Sequence, residues 1–206
     1  MIKGIITNLA CYRASKYLFR NLNFSLSGGQ LLWVEGRNGA GKSTLLKILA
    51  GIISASKGRI EWHFSSPEKK STAFISYLGH QNGLKKALTI RENIFYHFTL
   101  QGLTPSLPLL EKLLEELDLL TCADVLCHTL SLGQQRKVAL AILILKQHPL
   151  WLLDEPFTAL DKKSEQVLKN CLTQHLEAGG MSVMVNHRSM EKNHFPQIER
   201  LLLEEG

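Results

Sequence analysis

A glycine-rich run closed by a lysine and two hydroxyl residues, Gly36-Arg37-Asn38-Gly39-Ala40-Gly41-Lys42-Ser43-Thr44, has the types and spacing to hold phosphate. Gly36, Gly39 and Gly41 let the backbone take positive φ and approach a ligand without Cβ clashes. Successive N–H groups then form an anion-binding nest, and a helix starting near Lys42 adds the positive end of its dipole. On this reading Lys42 reaches the β- and γ-phosphates of a nucleoside triphosphate, and the Ser43 hydroxyl is a ligand for Mg²⁺. Downstream, Leu150-Trp151-Leu152-Leu153-Asp154-Glu155 is a short apolar run ending in two carboxylates, set off by Pro149 and Pro156. It reads as a buried parallel strand that delivers acids at its carboxyl end, where open α/β sheets bind ligands. Asp154 would hold Mg²⁺, directly or through water, and Glu155 would polarise an attacking water. Taken alone, such an acid pair is better explained as a helix cap after a core strand. Behind a phosphate loop, the catalytic reading is the stronger one.

The elements that must position these groups follow from the pattern. Leu31 to Val34 is an apolar strand running into the loop, and Leu45 to Leu49 leaves it with helical character. Two more strand-like runs, 73–78 and 181–186, end beside Gly79-His80-Gln81 and His187. A polar residue at a strand end is common; Gln81 and His187 gain weight only from their place in an ordered set. The segment from about Asn82 to Leu126 changes to helix, with Thr89 as N-cap for Ile90 to Leu100 and a second helix over Leu109 to Leu120. Leu130-Ser131-Leu132-Gly133-Gln134 follows, and Gly133 opens a helix through Lys146. Strand and helix patterns alternate again from Leu150.

Composition bounds the class. With 206 residues, 45% of them hydrophobic, the chain can bury one sizeable core with a small lobe attached. The longest apolar candidate, Val138 to Leu145, is far short of the roughly 20 residues of a membrane helix, and the N-terminus has no secretory pattern. Cys11, Cys122, Cys127 and Cys171 show no C-x-x-C spacing, and read as reduced, mostly buried thiols of a cytosolic protein. The net charge of +6 is spread in pairs (Lys69-Lys70, Lys85-Lys86, Lys162-Lys163) without a nucleic-acid-reading motif, so no nucleic-acid partner is expected.

The ordered set as a whole resembles the ATP-binding subunits of ABC transporters. The resemblance implies an α/β fold: a P-loop NTPase core of ABC ATPase type with an N-terminal antiparallel β subdomain and an inserted helical subdomain. A single domain over 1–206 is expected, with 1–81 and 141–206 as core and 82–140 as the helical signature subdomain. Gln81 becomes the Q-loop glutamine sensing Mg²⁺ and lytic water, His187 the switch histidine on the γ-phosphate, and Asp161, after Ala159-Leu160, the D-loop residue facing a second subunit. In a head-to-tail ATP sandwich Ser131, Gly133 and Gln134 of the signature complete the site around ATP held by the partner's loop. Closing on ATP and opening after hydrolysis would drive a membrane subunit docked near the Q-loop.

Gly79-His80-Gln81-Asn82-Gly83-Leu84-Lys85 with Glu92-Asn93, the signature continued through Ala141, and Asp154-Glu155-Pro156-Phe157-Thr158-Ala159 are similar, more narrowly, to the CcmA family of cytochrome c maturation systems, the haem exporters. That similarity implies an ATPase on the cytoplasmic face of the bacterial inner membrane, working with a CcmB-like integral subunit and CcmC- and CcmE-like proteins in haem export or release of the haem-loaded chaperone. Two positions depart from the wider pattern. Leu132 stands where glycine is usual, and its side chain must point away from ATP if the Ser131 and Gly133 contacts are to survive. The adenine-stacking position falls on Tyr12 or Arg13. Competing classes fit less well: ribosome-acting ABC ATPases usually carry two cassettes, DNA-repair types a long coiled coil, and small-molecule kinases no signature or D-loop. A non-hydrolysing sensor would be expected to lack Glu155 or His187. An ABC ATPase for another substrate stays open, because the membrane partner selects the cargo.

Overall fold

The computed structural model describes residues 2–64, 74–186, 195 and 198–203; His187 lies outside them, as does the first residue of the 73–78 run. The elements are β1 (Lys3–Arg13), β2 (Lys16–Ser27), β3 (Leu31–Glu35), α1 (Lys42–Leu49), β4 (Lys57–His63), β5 (Ile75–Leu78), α2 (Ile90–Thr99), α3 (Leu107–Glu116), α4 (Leu132–Lys146), β6 (Leu150–Asp154), α5 (Lys162–Glu177), β7 (Met181–Val185) and β8 (Ile198–Leu202). They fall into two compact units. One takes the chain up to Gly79, His148–Pro156 and everything from Gln174 on; the other takes His80–Gln147 and Phe157–Thr173.

The first unit holds two sheets. An antiparallel sheet of order β2-β1-β4 comes from the N-terminal part, and a parallel sheet has the order β5-β6-β7-β3-β8. Strands β3, β6 and β7 read as unbroken apolar runs because both their faces are covered: every residue of β6 and β7 is buried, as is Leu31–Val34. Helix α1 packs its Leu45, Leu46 and Leu49 into the same core as Leu32, Val34, Leu152, Val183 and Val185. Val185 pairs with Asp154 on one side and Val34 on the other. This register brings the carboxyl ends of β3, β6 and β7 to one edge of the sheet.

The second unit is helical. From Val138 to Leu145 helix α4 is apolar all round, with Val138, Leu140 and Ala141 fully buried, as befits the centre of a small bundle. Helices α2 and α3 pack on it through Ile90, Ile94 and Phe98 and through Leu110, Leu113 and Leu114, at helical spacing. Thr89 caps α2 in a capping box with Glu92. Helix α3 stops at Glu116, short of the expected Leu120: Asp118 turns into the left-handed region at φ 56 while Leu117 and Leu119 stay buried. The chain thus remains apolar after it has ceased to be a helix. The fold class is the one expected, with antiparallel, parallel and helical parts in place. All four cysteines are free, but only Cys11 and Cys127 are buried; Cys122 and Cys171 are half-buried. Among the described residues no helix is long and apolar enough to cross a membrane.

Candidate functional site

The phosphate loop leaves the carboxyl end of β3 and enters α1. Gly36, Gly39 and Gly41 have φ of 153°, 86° and 93°. A Cβ at Gly36 would lie 2.6 Å from the Leu203 carbonyl oxygen, so this position combines a glycine-only backbone with a lack of room. Gly41 is the left-handed N-cap of α1, whose first turn contains no acid to offset the helix dipole. Lys42 lies under the loop, 8% exposed, and its ammonium donates to the carbonyls of Gly36 at 2.7 Å and Arg37 at 2.9 Å. Two of its three N–H donors thus brace the loop, and the third is available to a ligand. Ala40 is buried; Arg37 and Asn38 are exposed. Thr44 follows Ser43 in the first turn of α1.

The acids stand across from that helix. Asp154, the last residue of β6, is 0% exposed, and the Ser43 hydroxyl donates to its Oδ1 at 3.1 Å. A buried carboxylate beside a hydroxyl is an all-oxygen donor set of the kind that, with phosphate oxygens, suits Mg²⁺. Glu155 leaves the strand at φ 48° while its N–H still donates to the Val185 carbonyl at 2.9 Å. A non-glycine residue in the left-handed region is uncommon and costs on the order of 1–3 kcal/mol, strain of a kind that clusters at functional positions. Tyr12, half exposed, meets Tyr17 edge-on at 5.0 Å, and Arg13 beside it is exposed.

The other expected residues belong to the helical unit. Ser131 caps α4 in a reciprocal box: its Oγ accepts from the Gln134 N–H at 3.2 Å, and Gln134 Oε1 accepts from the Ser131 N–H at 2.9 Å. The signature is therefore a helix N-terminus whose capping side chains fix each other, which gives Gln134 a structural task in the free chain. Leu132 is 76% exposed. Gly133 is confined instead, since a Cβ there would lie 3.0 Å from the Ala159 carbonyl oxygen. Ala159 itself has φ 65°. Gln81 is exposed at the start of this unit.

Two residues of α4 that the sequence reading did not single out join these loops. Arg136, buried, donates to Asn82 Oδ1 beside Gln81 at 3.3 Å. Lys137, its side chain 10% exposed, pairs with Asp161 Oδ2 at 2.6 Å, while Asp161 Oδ1 accepts from the Ser164 N–H at 2.8 Å at the start of α5. The Lys137 hydrogen bond, helped by the Ser164 N–H, holds the Asp161 carboxyl at about 2. Their signal in the sequence was two basic residues at the head of an otherwise apolar helix, next to the signature.

A family model described as "ABC transporter" matches residues 19–158. Among curated proteins, one from Haemophilus influenzae named "Cytochrome c biogenesis ATP-binding export protein CcmA" is 36% identical over 94% of this chain and 92% of its own length. Proteins of the same name from Haemophilus ducreyi and Dechloromonas aromatica are 40% and 41% identical, covering 92% and 89% of this chain and 91% of each relative. A solved structure of an ATP-binding subunit of an ABC transporter superposes with a TM-score of 0.83 at 21% identity, over 98% of this chain and 89% of that one. A dimeric post-hydrolysis ATP-binding cassette bound to ADP and Pi gives 0.80 at 23% identity, over 100% and 98%. At these identities the solved structures speak for the fold.

Proposed function

Because the chain belongs to the ABC transporter family of ATP-binding subunits, we propose that it is the ATPase of a cytochrome c maturation transporter, hydrolysing ATP in a head-to-tail dimer on the cytoplasmic face of a bacterial inner membrane. The observation that carries the chemistry is the Ser43–Asp154 bond at the common edge of β3, β6 and β7. It places the first hydroxyl of the phosphate-binding helix on a buried carboxylate.

The residues divide the work as follows. The loop from Gly36 to Thr44 binds the triphosphate through its N–H groups, and Lys42 orients the β- and γ-phosphates. Ser43 and Asp154 are the residues that would hold Mg²⁺, with Gln81 from the Q-loop. Bound there, the ion neutralises phosphate charge. Glu155 accepts the proton of the attacking water, and His187 contacts the γ-phosphate. In the dimer, Ser131 and the Gly133 N–H of one copy face the γ-phosphate held by the other, at the positive end of α4. Gln134 steadies Ser131 through the capping box. Tyr12 or Arg13 stacks on adenine. The core segments 1–81 and 141–206 serve nucleotide binding, and 82–140 carries the signature to the partner copy. The membrane side comprises a CcmB-like integral subunit with CcmC- and CcmE-like proteins, and the powered step is haem export or release of the haem-loaded chaperone. The relatives named CcmA support this narrower part of the reading.

The test is a pull-down of tagged Glu155→Gln protein from native membranes with ATP and Mg²⁺. Recovery of a multispanning subunit with cytochrome c maturation proteins is expected. Recovery of an unrelated permease overturns the cargo and keeps the ATPase; ribosomes or DNA in place of membrane proteins overturn the transport role.

A further inference from the structure

The phosphate-loop glycines have backbone angles that favour glycine, but Gly79, at the end of β5, does not. Its φ lies outside the left-handed region, so the backbone alone would accept alanine there. One side chain takes the room away. A Cβ at Gly79 would lie 2.6 Å from Tyr77 Oη and 2.8 Å from both Cε1 and Cζ of the same ring. The outer end of the Tyr77 ring therefore rests on the Gly79 backbone. The base of that side chain is held elsewhere: Tyr77 pairs with Leu152 in the sheet and packs, partly buried, against the core that contains Leu45 and Leu152. A ring fixed at its base by close-packed neighbours does not swing aside without disturbing them.

The place of this contact gives it a use. The pairing of β5 with β6 ends at Leu78 beside Leu153, one residue before Gly79 on one strand and one before Asp154 on the other. Gly79 is buried, and the exposed Gln81 follows two residues later. On the far side of Gln81, Asn82 is held by Arg136. The path of the chain through Gln81 is thus constrained at Gly79 before it and at Asn82 after it. A tyrosine that served the core alone has no reason to set its polar end on a strand-terminal glycine. A group that must meet a reacting phosphate or its metal is sensitive to such constraints, because a displacement of about 1 Å can cost about a hundredfold in rate.

We propose that Tyr77 is a positioning residue for Gln81: its ring, seated on Gly79, sets the direction in which the chain leaves β5 and so the reach of Gln81 toward Ser43 and Asp154. This deepens the ATPase reading and rests on the role given there to Gln81. The test uses the full-length chain. Tyr77→Leu should lower kcat roughly tenfold to a hundredfold and raise the Mg²⁺ concentration for half-maximal hydrolysis, with ATP affinity in EDTA unchanged. Tyr77→Phe keeps the ring and should restore both. Without nucleotide or metal, hydrogen exchange at the buried Leu78 and Gly79 amides should quicken at least about tenfold in Tyr77→Leu and not in Tyr77→Phe. Gly79→Ala should be impaired further, and adding Tyr77→Leu to it should recover activity, a gain that misfolding does not produce. Parental Mg²⁺ dependence or unaltered exchange in Tyr77→Leu, or parental activity in Gly79→Ala, overturns the proposal. So does a Tyr77→Leu loss that multiplies with that of Gln81→Ala, since a residue acting through Gln81 adds nothing once Gln81 is gone. If Gln81→Ala itself leaves rate and Mg²⁺ dependence unchanged, the role of Gln81 fails and the proposal with it, while the transporter reading stands.

Discussion

The phosphate loop and the signature are both helix starts at which phosphate binding is proposed, yet they are built by opposite means. At the phosphate loop the shape resides in the backbone: three positive-φ glycines, a left-handed N-cap without a side-chain bond, and a lysine folded onto its own loop's carbonyls. At the signature it resides in side chains, with the Ser131–Gln134 box at the helix start and Arg136 and Lys137 tied to neighbouring loops. A backbone-built site tolerates few substitutions but is complete in one chain. A side-chain-built one can be altered by degrees, as the proposed engagement and release of a partner copy would need.

The sharpest way to break the comparison is in the first unit. Glu155→Gln should lower hydrolysis by about 10²–10⁴-fold with ATP binding retained, as read by steady-state phosphate release beside nucleotide affinity; an unaltered rate removes Glu155 as the base. Lys42→Ala should lose productive ATP binding by about a hundredfold or more, measured with a fluorescent nucleotide. Were Lys42 only a brace for the loop, affinity would survive once the loop refolded around alanine. On the signature side the effects should be smaller. Ser131→Ala should reduce activity while leaving ATP affinity of the monomer unchanged, and should cost about 1 kcal/mol of helix-cap stability. A large loss of monomer affinity would contradict the cross-subunit placement.

Lys137→Met tests the side-chain scaffold through charge. A depressed carboxylate contributes stability above its unfolded value of 3.8, and that contribution disappears as pH falls through about 2. The variant should let the Asp161 carboxyl return toward 3.8 in an NMR titration. Asp161 is half exposed, so the stability change should be no more than about 1 kcal/mol. An unmoved titration would show that the Ser164 N–H alone holds the carboxylate. Smallest of all, the half-buried Cys171 thiol, raised to about 11 by burial and then by Glu116, should react with iodoacetamide at pH 8 far more slowly than an unshifted thiol in the unfolded chain.

The same contrast explains what could be read in the sequence. Backbone-built features are local, so Gly36 to Thr44 and the apolar run into Asp154 announced themselves by residue order, and Thr89 by its capping chemistry. The ties of Arg136 to Asn82 and of Lys137 to Asp161 join positions far apart in sequence, and nothing in linear spacing selects a partner for a basic residue. The end of α3 was misplaced for a related reason. Leu117, Leu119 and Leu120 keep the segment apolar while Asp118 enters the left-handed region, and an apolar run does not reveal φ. The strain at Glu155 was invisible as well, since glutamate has no sequence preference for the left-handed region.

The two ties on α4 have a mechanical consequence. Neighbouring positions on an α-helix are separated by about 100° around its axis, so Arg136 and Lys137 pull on different sides of the same rod. A shift of the helix therefore moves the anchor of both ties together. The Asn82 and Asp161 loops thereby share one anchor, and neither can move away from α4 without giving up a charged hydrogen bond.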